Sequence, residues 1–182
     1  MFWRFIRQGT SVTVVHSDKM LLNQVYPDKY RLDVERRIRS RGVKLILDDF
    51  LEATSSEATK ATTRKGVELD ADLVVTARGA RPNTSWIVSS LGEDVANERG
   101  YLHVKPTMQL TSYPNIFALG DVIDFPEQKQ AGKYPAHAAV VSANIVTLLK
   151  GAEPRKVYKA QPEMIALTMG KVRRLFNLLS AA

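Results

Sequence analysis

Gly120 and Asp121 carry the clearest chemical signal in the chain. They close the apolar run Ile116-Phe117-Ala118-Leu119, a segment of strand length that follows the turn-forming residues Tyr113-Pro114-Asn115. Gly120 has no Cβ, so a bulky group can come close to the backbone there. Asp121 places a carboxylate at the carboxyl end of the expected strand, the edge at which open α/β sheets take their ligands. A carboxylate in that place suits the hydroxyls of a sugar or a sugar alcohol; the competing reading is an Asp that caps the turn after the strand. A second polar group, His16-Ser17-Asp18-Lys19, follows an apolar run of its own. In a dinucleotide-binding unit that position holds an acid for a ribose 2′-hydroxyl or a cation for a 2′-phosphate. Asp18 argues for NADH, His16 and Lys19 argue for NADPH, and a plain polar loop stays open beside both.

The elements that must position these groups are legible in outline. Ser11–His16 is rich in β-branched residues and predicts a strand. Asp28–Arg41 sets Leu32, Val34 and Ile38 among many charges and ends at Gly42, the pattern of an amphipathic helix with a glycine stop. Val43–Leu47 predicts the next strand, so strand, helix, glycine and strand form half of a doubly wound parallel unit. The threonine-rich stretch Leu51–Leu69 predicts an antiparallel hairpin or meander. Ala71–Ala77 reads as a buried strand that leaves the sheet at Pro82. Tyr101–Val104 and Met108–Leu110 read as short strands around Pro106. Pro135 opens a helix running from Ala136 to about Leu149, whose small residues permit close approach; Gly151 and Pro154 end it. Ile165–Met169 could start another strand.

Bulk composition excludes several classes. With 45% hydrophobic and 25% charged residues over 182 positions, the chain is globular in type. It contains no cysteine, which removes disulfides, thiolate metal sites and a redox dithiol. His16, His103 and His137 show no metal-ligand spacing. No apolar run reaches the ~18 residues of a membrane helix. Formal net charge is +7, with the excess concentrated in Arg31–Arg41 and Lys171–Arg174. Such a surface could attract nucleic acid, anionic lipid or nucleotide phosphates, and it equally describes a solvated helix face. The apolar and basic Met1–Arg7 lacks a signal-peptide h-region and cleavage site, which leaves a short membrane-surface anchor open.

Three segments together resemble the apoptosis-inducing-factor-like flavoproteins, and within them the ferroptosis-suppressor type of NAD(P)H:quinone oxidoreductase. Asp72–Asn83 is similar to that family's junction between two domains, Thr111–Asp121 to its second flavin motif, and Lys129–Asn144 to the helix after it. The resemblance implies a two-dinucleotide-binding-domain (Rossmann-like) α/β fold, with parallel sheets and an antiparallel meander. It implies FAD as cofactor, NAD(P)H as electron donor and a quinone or other small electron acceptor. By the same resemblance Asp121 would bond the ribityl chain, with Gly120 beside it. The helix from Ala136 would point its amino terminus at the flavin pyrimidine, and Lys129 and His137 would lie close to the flavin. The other readings are a solvated loop charge for Lys129 and a helix residue buried in the domain interface for His137. No catalytic side chain is required, since the cofactor supplies the reactivity.

The departures are specific. The chain holds no Gly-x-Gly-x-x-Gly loop, whereas family members carry one for FAD and one for NAD(P)H. Ala77-Arg78-Gly79 stands where Ala-Thr-Gly is usual. Met1–Thr10 and Lys171–Ala182 fit nothing in the family. The expected organisation is therefore that of an incomplete chain: residues 1–79 from an NAD(P)H-binding domain, 80–160 from an FAD-binding domain, and 161–182 the start of an interface region. The alternative is an inactive remnant that binds nucleotides weakly. No nucleic-acid partner is expected. Peripheral membrane contact, a homo-oligomer and a cytoplasmic, membrane-associated or mitochondrion-associated location all remain compatible with the sequence.

Overall fold

The β-branched run Thr13–Val15 forms strand β1, and Lys44–Ile46 forms β2. They pair in parallel, with Thr13 opposite Lys44, Val14 opposite Leu45 and Val15 opposite Ile46. Parallel neighbours need a crossover, and helix α1, Asp28–Arg39, supplies it. Asp28 in its first turn and Arg36, Arg37 and Arg39 in its last complement the helix dipole. Asp33 meets both Arg36 and Arg37, and Glu35 meets Arg39. Val34 is the buried apolar contact of the helix, beside the buried Arg31, while Leu32 is 56% exposed. Gly42, at φ +78, follows the helix end in the left-handed conformation that glycine adopts freely.

The structure is a computed structural model, and it describes residues 10–52, 59–77, 79, 81–168 and 174–179. The chain divides into two compact units, one drawn from Met1–Arg78 and Met164–Leu179, the other from Gly79–Glu163 and Ser180–Ala182. The first unit also carries the antiparallel hairpin of β3, Lys60–Thr62, and β4, Glu68–Asp70. Gly66 at φ +85 turns this hairpin. The buried Asp49 anchors it by accepting hydrogen bonds from the backbone N–H groups of Phe50 and Lys65. The mixture of parallel and antiparallel pairing is the α/β architecture expected from the sequence. Strands β5, Glu163–Thr168, and β6, Arg174–Leu179, form a further two-stranded sheet.

The second unit is organised around two apolar clusters. Met108, Ile123, Val140, Val141 and Tyr158 form one, and Val95, Leu102 and Leu110 form the other. Val104, Ala118 and Val122 pack against both. Helix α2, Ser85–Leu91, and helix α3, Tyr134–Leu149, belong to this unit. Among the described residues, no helix is long and apolar enough to cross a membrane.

Several sequence expectations need correction. The expected strand Ala71–Ala77 does not form: only the Ala71 N–H reaches the hairpin, at the Thr59 carbonyl, and Leu73 and Val75 are 64% and 61% exposed. A strand exists only through its partner ladder, and no partner for this run occurs among the described residues. Tyr101–Val104, Met108–Leu110 and Ile116–Leu119 meet through isolated bridges rather than continuous strands, including Val104 with Leu110 and Gln109 with Phe117. Ile116–Ala118 is half-buried and Leu119 is exposed, so the run before Gly120 is not the buried strand its composition suggests. Helix α3 starts at Tyr134, with Pro135 in its first turn. The short helix α2 lacks a clear sequence signal, since no charged residue marks either end. Met1–Arg7, Arg78 and Met169–Lys171 lie outside the described residues.

Candidate functional site

Gly120 enters a tight helical turn, Gly120–Val122, at φ +82. A Cβ added there would meet nothing within 4 Å, so the backbone is open on that side. Asp121 is exposed, and its Oδ1 accepts a hydrogen bond from the Tyr134 hydroxyl at the start of α3. That bond to the carboxylate, then burial, raises the Tyr134 hydroxyl from its usual range to about 12. Asp121 therefore sits at the amino-terminal end of α3, whose first-turn N–H groups favour negative charge nearby.

Beneath this turn lies a polar cluster that motif reading does not reveal. The Gly120 N–H donates to His137 Nδ1 at 3.3 Å. His137, 2% exposed, has its Nε2 2.9 Å from Glu127 Oε1. The Tyr158 hydroxyl donates to Glu127 Oε2 at 2.8 Å, and Lys133 Nζ lies 3.5 Å from the same oxygen. Lys133 also donates to Glu163 Oε1 at 2.6 Å. Buried charges persist only when paired, and these five side chains pair one another, Tyr158 and Glu163 reaching back to the loop from far along the sequence. Burial, followed by the hydrogen bond to Glu127, raises the Tyr158 hydroxyl far above its ordinary range. The charges of Glu127 and Lys133 in a Gln- and Lys-containing loop predict solvent exposure, so only an apolar setting such as Phe125-Pro126 hints otherwise.

Lys129 donates to the Ile123 carbonyl at 2.6 Å, and its ammonium lies 5.3 Å from the Tyr101 ring centre. Burial pulls its pKa down, against the opposing pull of Glu127, Asp124 and Asp121. Ala136 is half-buried in the first turn of α3 and packs against the Met108 cluster. Thus Gly120, Asp121, Lys129, Ala136 and His137 all lie in the second unit; Gly120 bonds His137 and Lys129 feels the charge of Asp121, while Ala136 packs on the apolar cluster.

Asp18 belongs to the first unit, just beyond β1. Its Oδ1 accepts from the Lys19 N–H at 2.8 Å, and its Oδ2 is 3.4 Å from the Arg31 guanidinium. Arg31, 4% exposed, also donates to the carbonyls of Met20, Leu21 and Leu22. It therefore fixes the loop that carries Asp18, a role its place in a basic run hides. The buried His16 Nε2 has no hydrogen-bond partner, and Lys19 is exposed.

The donor set fits one portion of a flavin dinucleotide. An open glycine, an exposed carboxylate and a helix amino terminus suit a polyol and a polar ring edge. No glycine-rich phosphate loop occurs in the 182 residues. Among the described residues, no group of three or more His, Asp or Glu side chains could hold a metal ion.

Residues 3–144 match the family described as pyridine nucleotide-disulphide oxidoreductase. The chain is 48% identical over 162 residues to the FAD-dependent oxidoreductase FVFD30 of Flammulina velutipes, covering 88% of this chain and 50% of that protein. It is 32% identical over 176 residues to apoptosis-inducing factor homolog B of Dictyostelium discoideum, covering 87% and 45%. The water-forming NADH oxidase of Lactobacillus brevis, solved with NADH bound, superposes with a TM-score of 0.71 at 21% identity, over 90% of this chain and 36% of that one. That last likeness is one of fold. The chain spans about half the length of the curated relatives it matches.

Proposed function

The chain belongs to the pyridine nucleotide-disulphide oxidoreductase family, and from that premise we propose that it forms part of an FAD-dependent NAD(P)H oxidoreductase that passes electrons to a quinone-like acceptor. The observation that carries this reading is the Gly120-Asp121 turn, open at the glycine and presenting an exposed carboxylate beside the first turn of α3. Bound FAD would supply the hydride chemistry between nicotinamide and acceptor. Asp121 would accept hydrogen bonds from the ribityl hydroxyls, and Gly120 would let the cofactor approach the backbone. The N–H groups at Ala136 and His137 would stabilise negative charge on the ring edge. Lys129 would add a fixed cation on the same side. Asp18, held by Arg31, would meet the ribose of the pyridine nucleotide. The chain has no cysteine, so none of its 182 residues supplies a thiol to relay electrons.

A second reading is an inactive remnant with weak nucleotide affinity. The lack of Gly-x-Gly-x-x-Gly in these 182 residues favours it, because that loop supplies the main contacts to a pyrophosphate. Titrating the 182-residue chain with FAD by flavin fluorescence, then assaying NADH and NADPH oxidation with a soluble quinone, separates the two. The chain is expected to purify colourless and to bind added FAD weakly but saturably. Asp121→Ala should weaken that binding about tenfold, the worth of one charge-assisted hydrogen bond. Binding that ignores Asp121→Ala removes the first reading, and binding without turnover favours the second.

A further inference from the structure

His137 is constrained on both ring nitrogens. Its Nδ1 receives the Gly120 N–H at 3.3 Å, so Nδ1 must present a lone pair. The ring proton therefore rests on Nε2, from which it is donated to Glu127 Oε1 at 2.9 Å. The opposite tautomer would set N–H against N–H at Gly120 and a lone pair against a carboxylate at Glu127. Glu127 itself is held: its side chain is 3% exposed, Tyr158 donates to its other oxygen, and Lys133 lies 3.5 Å away. Lys133 is anchored in turn by Glu163 at 2.6 Å. The Tyr158 ring closes one side of the imidazole edge-on, at 4.3 Å between centroids.

We propose that Glu127 is a positioning residue for the Gly120-Asp121 turn: it fixes the His137 proton on Nε2, so that Nδ1 holds the Gly120 N–H and sets the direction in which Asp121 leaves the chain. Glu127 acts through His137 on a buried glycine at φ +82, whose N–H the imidazole holds. Any bearing on flavin binding rests on the function proposed above; the tautomer and the turn do not.

The test is a long-range proton–nitrogen NMR correlation on the 182-residue chain labelled with ¹⁵N-histidine and without cofactor. It is paired with hydrogen exchange at the Gly120 amide. In the wild type, His137 is expected to show a protonated Nε2 and an unprotonated Nδ1. Glu127→Gln, which keeps an acceptor oxygen, should preserve that pattern. Glu127→Leu should move proton population to Nδ1 and speed Gly120 exchange about tenfold through local opening. A wild-type proton on Nδ1 overturns the proposal, as does a Glu127→Gln chain with its proton moved there. So does a Glu127→Leu chain with unchanged tautomer and exchange. If Glu127→Leu does not fold, the wild type and Glu127→Gln still decide. Because the readout is cofactor-free, a failed FAD titration leaves this inference standing, and a failed tautomer result leaves that titration standing.

Discussion

At the scale of single residues, the site residues do more than their types announce. Asp121 offers a carboxylate for a polyol, yet in the chain itself that group already receives the Tyr134 hydroxyl. A ligand hydroxyl must share or displace that bond. The coupling has a measurable sign. The Asp121 carboxylate raises the Tyr134 hydroxyl to about 12, above its ordinary 10.0. The folded state therefore holds that proton more tightly than the unfolded state. The stability this contributes is complete below pH about 10 and is lost as pH rises through about 12. A tyrosinate absorbance titration of the chain, which has six tyrosines, should contain a step near pH 12 that Tyr134→Phe abolishes. Survival of that step in the variant would show the bond to be absent in solution. Arg31 yields a second prediction. Its guanidinium binds three consecutive carbonyls, Met20 to Leu22, as well as Asp18 and Asp28. Arg31→Met strands those carbonyls and should cost about 3 kcal/mol in the first unit's urea unfolding.

At the scale of elements, helix α3 is held by one buried amide as well as by the apolar side that carries Val140 and Val141. Asn144, 0% exposed, donates to the Thr107 and Lys156 carbonyls at 2.9 and 2.7 Å and accepts from the Lys156 N–H at 3.0 Å. Asn144→Ala should lower the second unit's stability by about 3 kcal/mol, read as a shift in urea midpoint at constant slope. Asn144→Asp should fare no better, because it turns a carboxylate toward two carbonyls. The contrast shows what the sequence could reveal. The β1–α1–β2 unit was legible because its cues are local: a β-branched run, helical spacing around Val34, and Gly42 at the stop. Helix α3 was legible from Pro135. Glu127, Lys133, Tyr158 and Glu163 were not, since charged loop residues default to solvent and their partners are remote in sequence. Asp72–Ala77 failed for the opposite reason: its composition is that of a strand, but pairing belongs to the partner and not to the run.

At the scale of the whole molecule, apolar exposure sets behaviour that no single site explains. Leu73, Val75, Trp86 and Leu149 are 64%, 61%, 64% and 82% exposed. The parallel sheet has two strands among the described residues, with no further strand paired to either among them. The apolar Asp72–Ala77 run, which has no strand partner among the described residues, adds exposed Leu73 and Val75. Edges and runs of this kind pair with another copy when nothing else covers them. Opposing this is a formal net charge of +7, which keeps copies apart at low ionic strength. Screening weakens that repulsion, the Debye length falling from ~30 Å at 0.01 M salt to ~8 Å at 0.15 M. Sedimentation velocity of the 182-residue chain should therefore show association that grows with protein concentration and, contrary to an ion-pair interface, with salt. Leu73→Lys combined with Val75→Thr should shift that association to at least about tenfold higher protein concentration, by removing apolar area from the contact. A chain that stays monomeric across the concentration range would remove the apolar run as a contact, and one whose association weakens with salt would place the contact on its charged surfaces instead.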